Sequence, residues 1–302
     1  MDGILKRLNY QYREVPHTNF AAAKEKVNLA WYTSGKLVIQ GKGAQEFIEF
    51  VLEPEVLMEA RLGYEDVLNP DMLLPRIGVD ESGKGDFFGP LCIAGVYVNE
   101  EIVRQWKEEG IKDSKNVSSD KKIADLTEII RDTPGVVYDV VCIGNEAYNR
   151  LHKTMRSVNK VLAWGHARVI ENLMGRRYQM KPEPVRAISD QFAANKATVG
   201  KALMSLGREI ELIQRHKAED DLAVAAASIL ARNEFVTRLK TLGEQHDLEF
   251  PKGASKKVEE VGRSFVENIG AEQLPSVAKM HFRTSYRVRG LQEPLKKEWR
   301  KR

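Results

Sequence analysis

Cysteine is nearly absent: the 302 residues hold two, Cys92 and Cys142. Two cysteines build neither a disulfide framework nor a metal knuckle. Both lie in apolar, β-branched stretches, so they read as buried thiols of a reducing cytosol. No apolar run approaches the roughly 20 residues that a bilayer requires, which excludes a helical membrane span. The first residues carry no apolar signal core, so export is not expected. Internal repeats and low-complexity tracts are missing. Neither sign of charge dominates: 47 Lys and Arg stand against 43 Asp and Glu, a net charge of +4. With 42% hydrophobic and 30% charged residues, the composition is that of a soluble chain that buries a core. Its length suits one large domain or two smaller ones.

The charge that is present gathers at the ends. Residues 1 to 43 carry seven basic side chains against three acidic ones, and His281 to Arg302 carries eight against two. Basic ends suit a polyanionic partner, although Lys296 to Arg302 reads as a solvated tail.

One stretch organises the rest. Arg76 to Val79 is short, apolar and β-branched, as a strand is, and Asp80 and Glu81 stand together at its end. Gly83, Lys84 and Gly85 form a turn, and Leu91 to Val98 is a second apolar strand. Paired carboxylates disfavour each other unless a cation offsets them, and an oxygen-only set suits Mg²⁺ or Mn²⁺. A glycine-rich backbone beside an ammonium can approach phosphate closely. Together these features suggest metal-assisted phosphodiester chemistry; an exposed polar turn is the competing reading.

Farther on, Val185 to Asp190 is another short apolar strand that ends in a carboxylate. In parallel α/β sheets functional groups collect at strand C-termini, so Asp80 and Asp190 are expected to meet in space. His216 to Arg232 combines three consecutive acids, Glu219, Asp220 and Asp221, with a run of small residues. The acids suit the start of a helix, and one of them is a candidate for a further metal ligand. His166 reads as a surface or packing residue rather than a ligand.

Asp80-Glu81-Ser82-Gly83-Lys84-Gly85 resembles the opening signature of the type 2 ribonuclease H family, and the Lys84 variant followed by Asp86 to Pro90 resembles its bacterial ribonuclease HIII branch. The related ribonuclease HII pattern has Arg between the glycines. Ala226 to Ala231 is similar to the family's second signature. The Asp113-Ser114-Lys115 loop and His281 to Ser285 resemble its phosphate-contact segment and its closing element. The likeness covers roughly residues 75 to 287.

This resemblance implies an α/β fold: a ribonuclease H-like mixed sheet with flanking helices in residues 73–302. It also implies a small N-terminal α+β domain in residues 1–72, similar to a TATA-binding-protein-like module. It implies hydrolysis of the RNA strand of RNA–DNA hybrids, leaving 5′-phosphate and 3′-hydroxyl ends. One cation would activate the attacking water and a second would offset charge on the leaving oxygen. Asp80, Glu81, Asp190 and Glu219 would be the catalytic and metal-binding set for Mg²⁺ or Mn²⁺. Alignment on the motif favours Glu219 over Asp220. Gly83, Lys84, Gly85, Ser114, Lys115, Asn116 and Lys160 would contact substrate, the glycine loop sensing the 2′-hydroxyl. A cytoplasmic monomer that binds hybrid and no membrane is expected. The alternatives are a ribonuclease HII-like enzyme that cuts at single ribonucleotides, a DNA-directed nuclease or strand transferase, and a non-catalytic hybrid-binding protein.

Within residues 1 to 70, Ala21 to Val27 has helical character, Leu29 to Gln40 is a hairpin turning at Ser34-Gly35, and Ala44 to Leu52 is an amphipathic helix. Tyr10, Tyr12, Lys24, Lys26, Trp31, Tyr32 and Lys36 are candidate duplex contacts, with Trp31 expected to fill the small core. Tyr64 to Met72 reads as a linker.

Overall fold

The computed structural model describes residues 1–58, 70–109, 111, 119–192, 197–216 and 218–293. The chain divides into two compact units, Met1–Met72 and Leu73–Arg302.

In the first unit, helix α1 (Asp2–Arg7) precedes four antiparallel strands in the order β1-β2-β3-β4: Gln11–Arg13, Thr18–Lys24, Val27–Tyr32 and Leu37–Gln40. Helix α2 (Ala44–Phe47) continues as a wider π-helical stretch, Ile48–Leu57. Leu5, Ala22, Val27, Leu29 and Phe47 form the core. The hairpin is present, with Trp31 opposite Leu37.

The expected helix over Ala21 to Val27 is instead strand β2. Glu25 takes a positive φ of 46°, so Glu25-Lys26 turns the chain tightly and pairs Lys24 with Val27. Ladder pairing of Ala22 with Leu29 outweighs the modest helix preference of three alanines. Trp31 does not fill the core. It is 39% exposed and edge-on to Phe20 at 5.7 Å.

The second unit holds a five-stranded mixed sheet in the order β7-β6-β5-β8-β9. Its strands are β5 (Arg76–Ser82), β6 (Leu91–Val98), β7 (Val137–Ile143), β8 (Arg186–Asp190) and β9 (Glu211–Arg215). β5, β6 and β7 pair antiparallel, while β8 runs parallel to β5 and to β9. The described helices here are α3 (Glu100–Glu108), α4 (Asp120–Asp132), α5 (Asn145–Met155), α6 (Val158–Met174), α7 (Ala197–Ala202), α8 (Leu222–His246), α9 (Lys256–Ile269), α10 (Leu274–Val277) and α11 (Thr284–Val288).

Glycine at two sheet positions lets helices seat on both faces. A Cβ on Gly78 would lie 2.2 Å from the Ala223 carbonyl carbon of α8, and one on Gly95 would lie 2.4 Å from Val169 of α6. Gly95 is paired with Val79. Side chains alternate along a strand, so α8 and α6 cover opposite faces. The mixed sheet, its flanking helices and the separate N-terminal sheet agree with the fold expected from the sequence. Helices α5 and α6 are separated where Arg156 adopts a φ of 53°.

Candidate active site

The parallel pairing of β5 with β8 aligns Val79 with Ser189. Asp80 and Asp190 are the next residue on each strand, so they sit side by side at neighbouring C-terminal ends. Strand alternation then sorts the side chains. Asp80, in phase with Gly78, is on the α8 face, and Glu81, in phase with Val79, is on the α6 face.

Each carboxylate has its own support. The Ser228 hydroxyl of α8 hydrogen-bonds Asp80. On the other face, His166 of α6 is fully buried. Its Nε2 donates to Glu81 Oε2 at 3.0 Å, and its Nδ1 lies 2.9 Å from the Ser189 hydroxyl. Burial, then the adjacent charge of Glu81, pushes Asp80 from its ordinary 3.8 up to about 7. Burial also works against ionised Glu81, but the His166 hydrogen bond and charge, with Lys84 behind them, hold that carboxyl below its ordinary range. Lys84 Nζ is 3.5 Å from Glu81 and 5.5 Å above the Phe192 ring.

The three consecutive acids separate by role. Asp221 caps α8 by accepting from the Ala223 amide at 2.9 Å. Its other carboxylate oxygen meets Arg76 Nε at 2.8 Å, with the Arg76 and Asp221 side chains 1% and 7% exposed. Asp221 is therefore committed to the fold. Glu219 and Asp220 belong to the single turn Ala218–Asp220, whose Ala218 amide donates to Asp190 Oδ1 at 3.2 Å. That bond sets the turn against the Asp80–Asp190 strand ends. Glu219 is half-buried there and Asp220 is exposed.

Among the described residues, no three His, Cys, Asp or Glu side chains already converge at metal-binding spacing. Glu81 is held by His166 on one face while Asp80 and Asp190 lie toward the other. The donor set nevertheless fits a hard cation. It is all carboxylate oxygen, and the buried like charges that raise Asp80 are what a divalent ion offsets.

Beyond β5 the glycine loop has little latitude. Gly83 has a φ of +90°, and a Cβ there would lie 2.3 Å from the Pro90 carbonyl oxygen. Gly85 is exposed with open space around it. The loop is anchored by Lys279, a wholly buried lysine. Its Nζ donates to the carbonyls of Asp86 at 2.9 Å and Gly89 at 2.5 Å. Burial lowers that ammonium to about 8. Asn145 Nδ2 also donates to the Gly89 carbonyl, at 2.8 Å, and the Gly253 amide donates to Asp86 at 2.6 Å.

His166 is not at the surface: it is wholly buried and is an interior partner of Glu81. Ser189, Ser228, Asn145 and Lys279 were not singled out. Ser228 lies inside the small-residue signature and Lys279 two positions before His281, so their motifs were the available signal. Lys160 is exposed on the helix that carries His166. Ser114, Lys115 and Asn116, like most of the expected linker and tail, lie outside the described residues.

Several basic side chains of the second unit are paired with acids. Lys252 contacts Asp120 at 2.8 Å, Arg287 pairs with Glu259, and Arg283 lies 3.6 Å from Glu293. His281 stacks on His152 at a centroid distance of 4.7 Å.

The chain is similar to known proteins over most of its length. The ribonuclease HII family profile matches residues 77–285, and a domain family of unknown function matches residues 4–57. The chain is 47% identical over 287 residues to ribonuclease HIII of Chlamydia pneumoniae, covering 93% of this chain and 91% of that one. It is 43% identical over 268 residues to ribonuclease HIII of Protochlamydia amoebophila, covering 89% and 85%. Among solved structures, Bst-RNase HIII in complex with Mn²⁺ aligns with a TM-score of 0.68 at 28% identity, over 96% of this chain and 94% of that one. Aquifex aeolicus RNase H3 aligns with a TM-score of 0.56 at 26% identity, over 93% and 94%.

Proposed function

Because the chain belongs to the ribonuclease HIII family, we propose that it is an endoribonuclease that hydrolyses the RNA strand of RNA–DNA hybrids, leaving 5′-phosphate and 3′-hydroxyl ends. The observation that carries the site assignment is the parallel β5–β8 register, which sets Asp80 beside Asp190. Asp80, Glu81, Asp190 and Glu219 would hold the divalent cation, Mg²⁺ or Mn²⁺. Such a cation, when bound, supplies Lewis acidity to the water nucleophile and offsets charge on the leaving oxygen.

The chain's own residues do the rest. His166 fixes the orientation of Glu81, and Ser228 that of Asp80. Asp190 holds the Glu219 turn through the Ala218 amide. The glycine loop, kept in place by Lys279 and open at Gly85, would let a sugar 2′-hydroxyl and its phosphate approach the backbone. Lys84 and the exposed Lys160 supply positive charge for the strand backbone. Ser114, Lys115 and Asn116 belong to the same proposal on motif resemblance. No helix among the described residues is long and apolar enough to cross a membrane. Action as a cytoplasmic monomer on nucleic acid completes the reading.

The test is cleavage of an end-labelled RNA–DNA hybrid with Mg²⁺ or Mn²⁺, beside a DNA duplex carrying one ribonucleotide. Metal-dependent cuts along the RNA strand are expected, lost in Glu219→Gln and retained in Asp220→Asn. Cutting confined to the single-ribonucleotide duplex would move the chain to ribonuclease HII-like activity. Tight binding without cutting would leave a hybrid-binding protein.

A further inference from the structure

The two cysteines of the chain face each other. Cys92 on β6 and Cys142 on β7 are direct partners across the antiparallel ladder, both are free thiols, and their sulfurs are 3.6 Å apart. Residues directly opposite in such a ladder have Cβ atoms about 4.5–5.5 Å apart, and a disulfide needs about 3.5–4.5 Å. The remaining approach is small. β7 is an edge strand of this sheet, so it can move without breaking a second ladder.

Access is one-sided. Cys92 is wholly buried. Cys142 is half-buried and borders a surface cavity with Pro90, Gly144, Asn145, Arg238 and Gln245. The Cys92 thiol donates to Cys142 Sγ, and this bond, aided by the charge of Arg238 and opposed by burial, holds the Cys142 thiol below its ordinary range.

The geometry points to a modification site: Cys142 and Cys92 form a reversible disulfide by exchange with a low-molecular-weight disulfide, and closing it slows hybrid cleavage. In the first step the Cys142 thiolate attacks one sulfur of the small disulfide. A protein–reagent bond forms, the reagent S–S bond breaks, and the released thiolate takes up the proton lost from Cys142. In the second step Cys92 attacks Cys142 Sγ, expels the second reagent thiol and gives it the Cys92 proton. Two protein thiols are oxidised and one small disulfide is reduced to two thiols.

The link to cleavage rests on the functional reading above. β7 runs through Cys142 to Ile143, and after Gly144 the side chain of Asn145 holds the Gly89 carbonyl at 2.8 Å, which Lys279 also holds. Drawing Cys142 toward Cys92 pulls on that end of the glycine loop. Displacements near 1 Å at a positioning element cost up to about 100-fold in rate.

The full-length protein would be incubated with 2-hydroxyethyl disulfide and followed by intact mass, unreduced peptide mapping and hybrid cleavage. The expected product has lost two hydrogen atoms and joins the Cys92 and Cys142 peptides. Its kcat/KM falls by about tenfold or more, and dithiothreitol restores it. Cys92→Ala should stop at a stable adduct on Cys142. A stable adduct in the wild-type protein, or thiols that react only after unfolding, overturns the site. A crosslinked protein with unchanged kcat/KM overturns the link to the loop. If reduced protein cuts no hybrid, the functional reading fails while the mass result still decides the thiol chemistry.

Discussion

The imidazole of His166 lies wholly inside the protein and donates from Nε2 to Glu81 Oε2 at 3.0 Å, with Ser189 2.9 Å from its other nitrogen. A carboxylate at the end of β5 is thereby fixed by a group on a helix far along the chain.

Removing that support should weaken catalysis more than the fold. Under the proposed assignment Glu81 holds the cation, and loss of the hydrogen-bonding partner of such a side chain typically costs about 10- to 100-fold. His166→Ala should lower hybrid-cleavage kcat by this amount and raise the cation concentration needed for half-maximal rate. His166→Gln, which can still donate to Glu81, should recover part of both. Steady-state kinetics across a metal titration checks this, and an unchanged metal requirement in His166→Ala would count against the role.

Asp80 should show opposite effects on stability and activity. Its carboxyl is raised to about 7 by burial and by Glu81, so the folded state binds the proton more tightly than the unfolded state does. The stability this contributes is complete below about pH 4 and is lost as pH rises through about 7. Without divalent cations, Asp80→Asn should therefore match or exceed the parent's urea midpoint above about pH 8. Its hybrid cleavage should fall by about 10²- to 10⁴-fold, the equivalent of several kcal/mol. A destabilised Asp80→Asn protein would contradict this account.

The acids at the start of α8 should divide cleanly. Asp221→Ala strands the buried Arg76 charge and should cost about 3–5 kcal/mol of unfolding free energy. Asp220→Asn, at an exposed position, should change stability by less than about 0.5 kcal/mol. Denaturant unfolding of the two variants measures both.

Acid sensitivity should trace in part to His281. Burial, reinforced by the charges of His152 and Lys279, lowers its imidazole to about 4, against an unfolded value of about 6.5. Between these values the unfolded chain binds the extra proton. Stability is therefore complete above about pH 6.5 and declines as pH falls toward about 4. Melting temperatures across that window should drop less steeply in His281→Gln than in the parent.

Much of the second unit was legible because its signals are local. A strand–turn–strand with Asp80 and Glu81 at the first strand's end, a second carboxylate strand at Asp190 and a small-residue helix after Glu219 are each written in adjacent residues. The first unit was less legible. Ala21 to Lys24 has no local reason to be a strand; it is one because Ala22 finds Leu29 across the ladder.

The sequence by itself determined which side chains are available for the proposed chemistry: carboxylates in pairs, glycines where the chain turns sharply, and a helix of small residues able to lie against a sheet. Tertiary structure alone decided which of them meet. The β5–β8 register sets Asp80 beside Asp190. The buried Arg76 claims Asp221 and leaves the Ala218–Asp220 turn facing Asp190. Helix α6 brings His166 to Glu81, and the closing segment brings Lys279 under the glycine loop. These are contacts between residues distant in sequence. Each is set by which face of a strand or helix is turned inward, and the packing of the whole sheet determines that orientation.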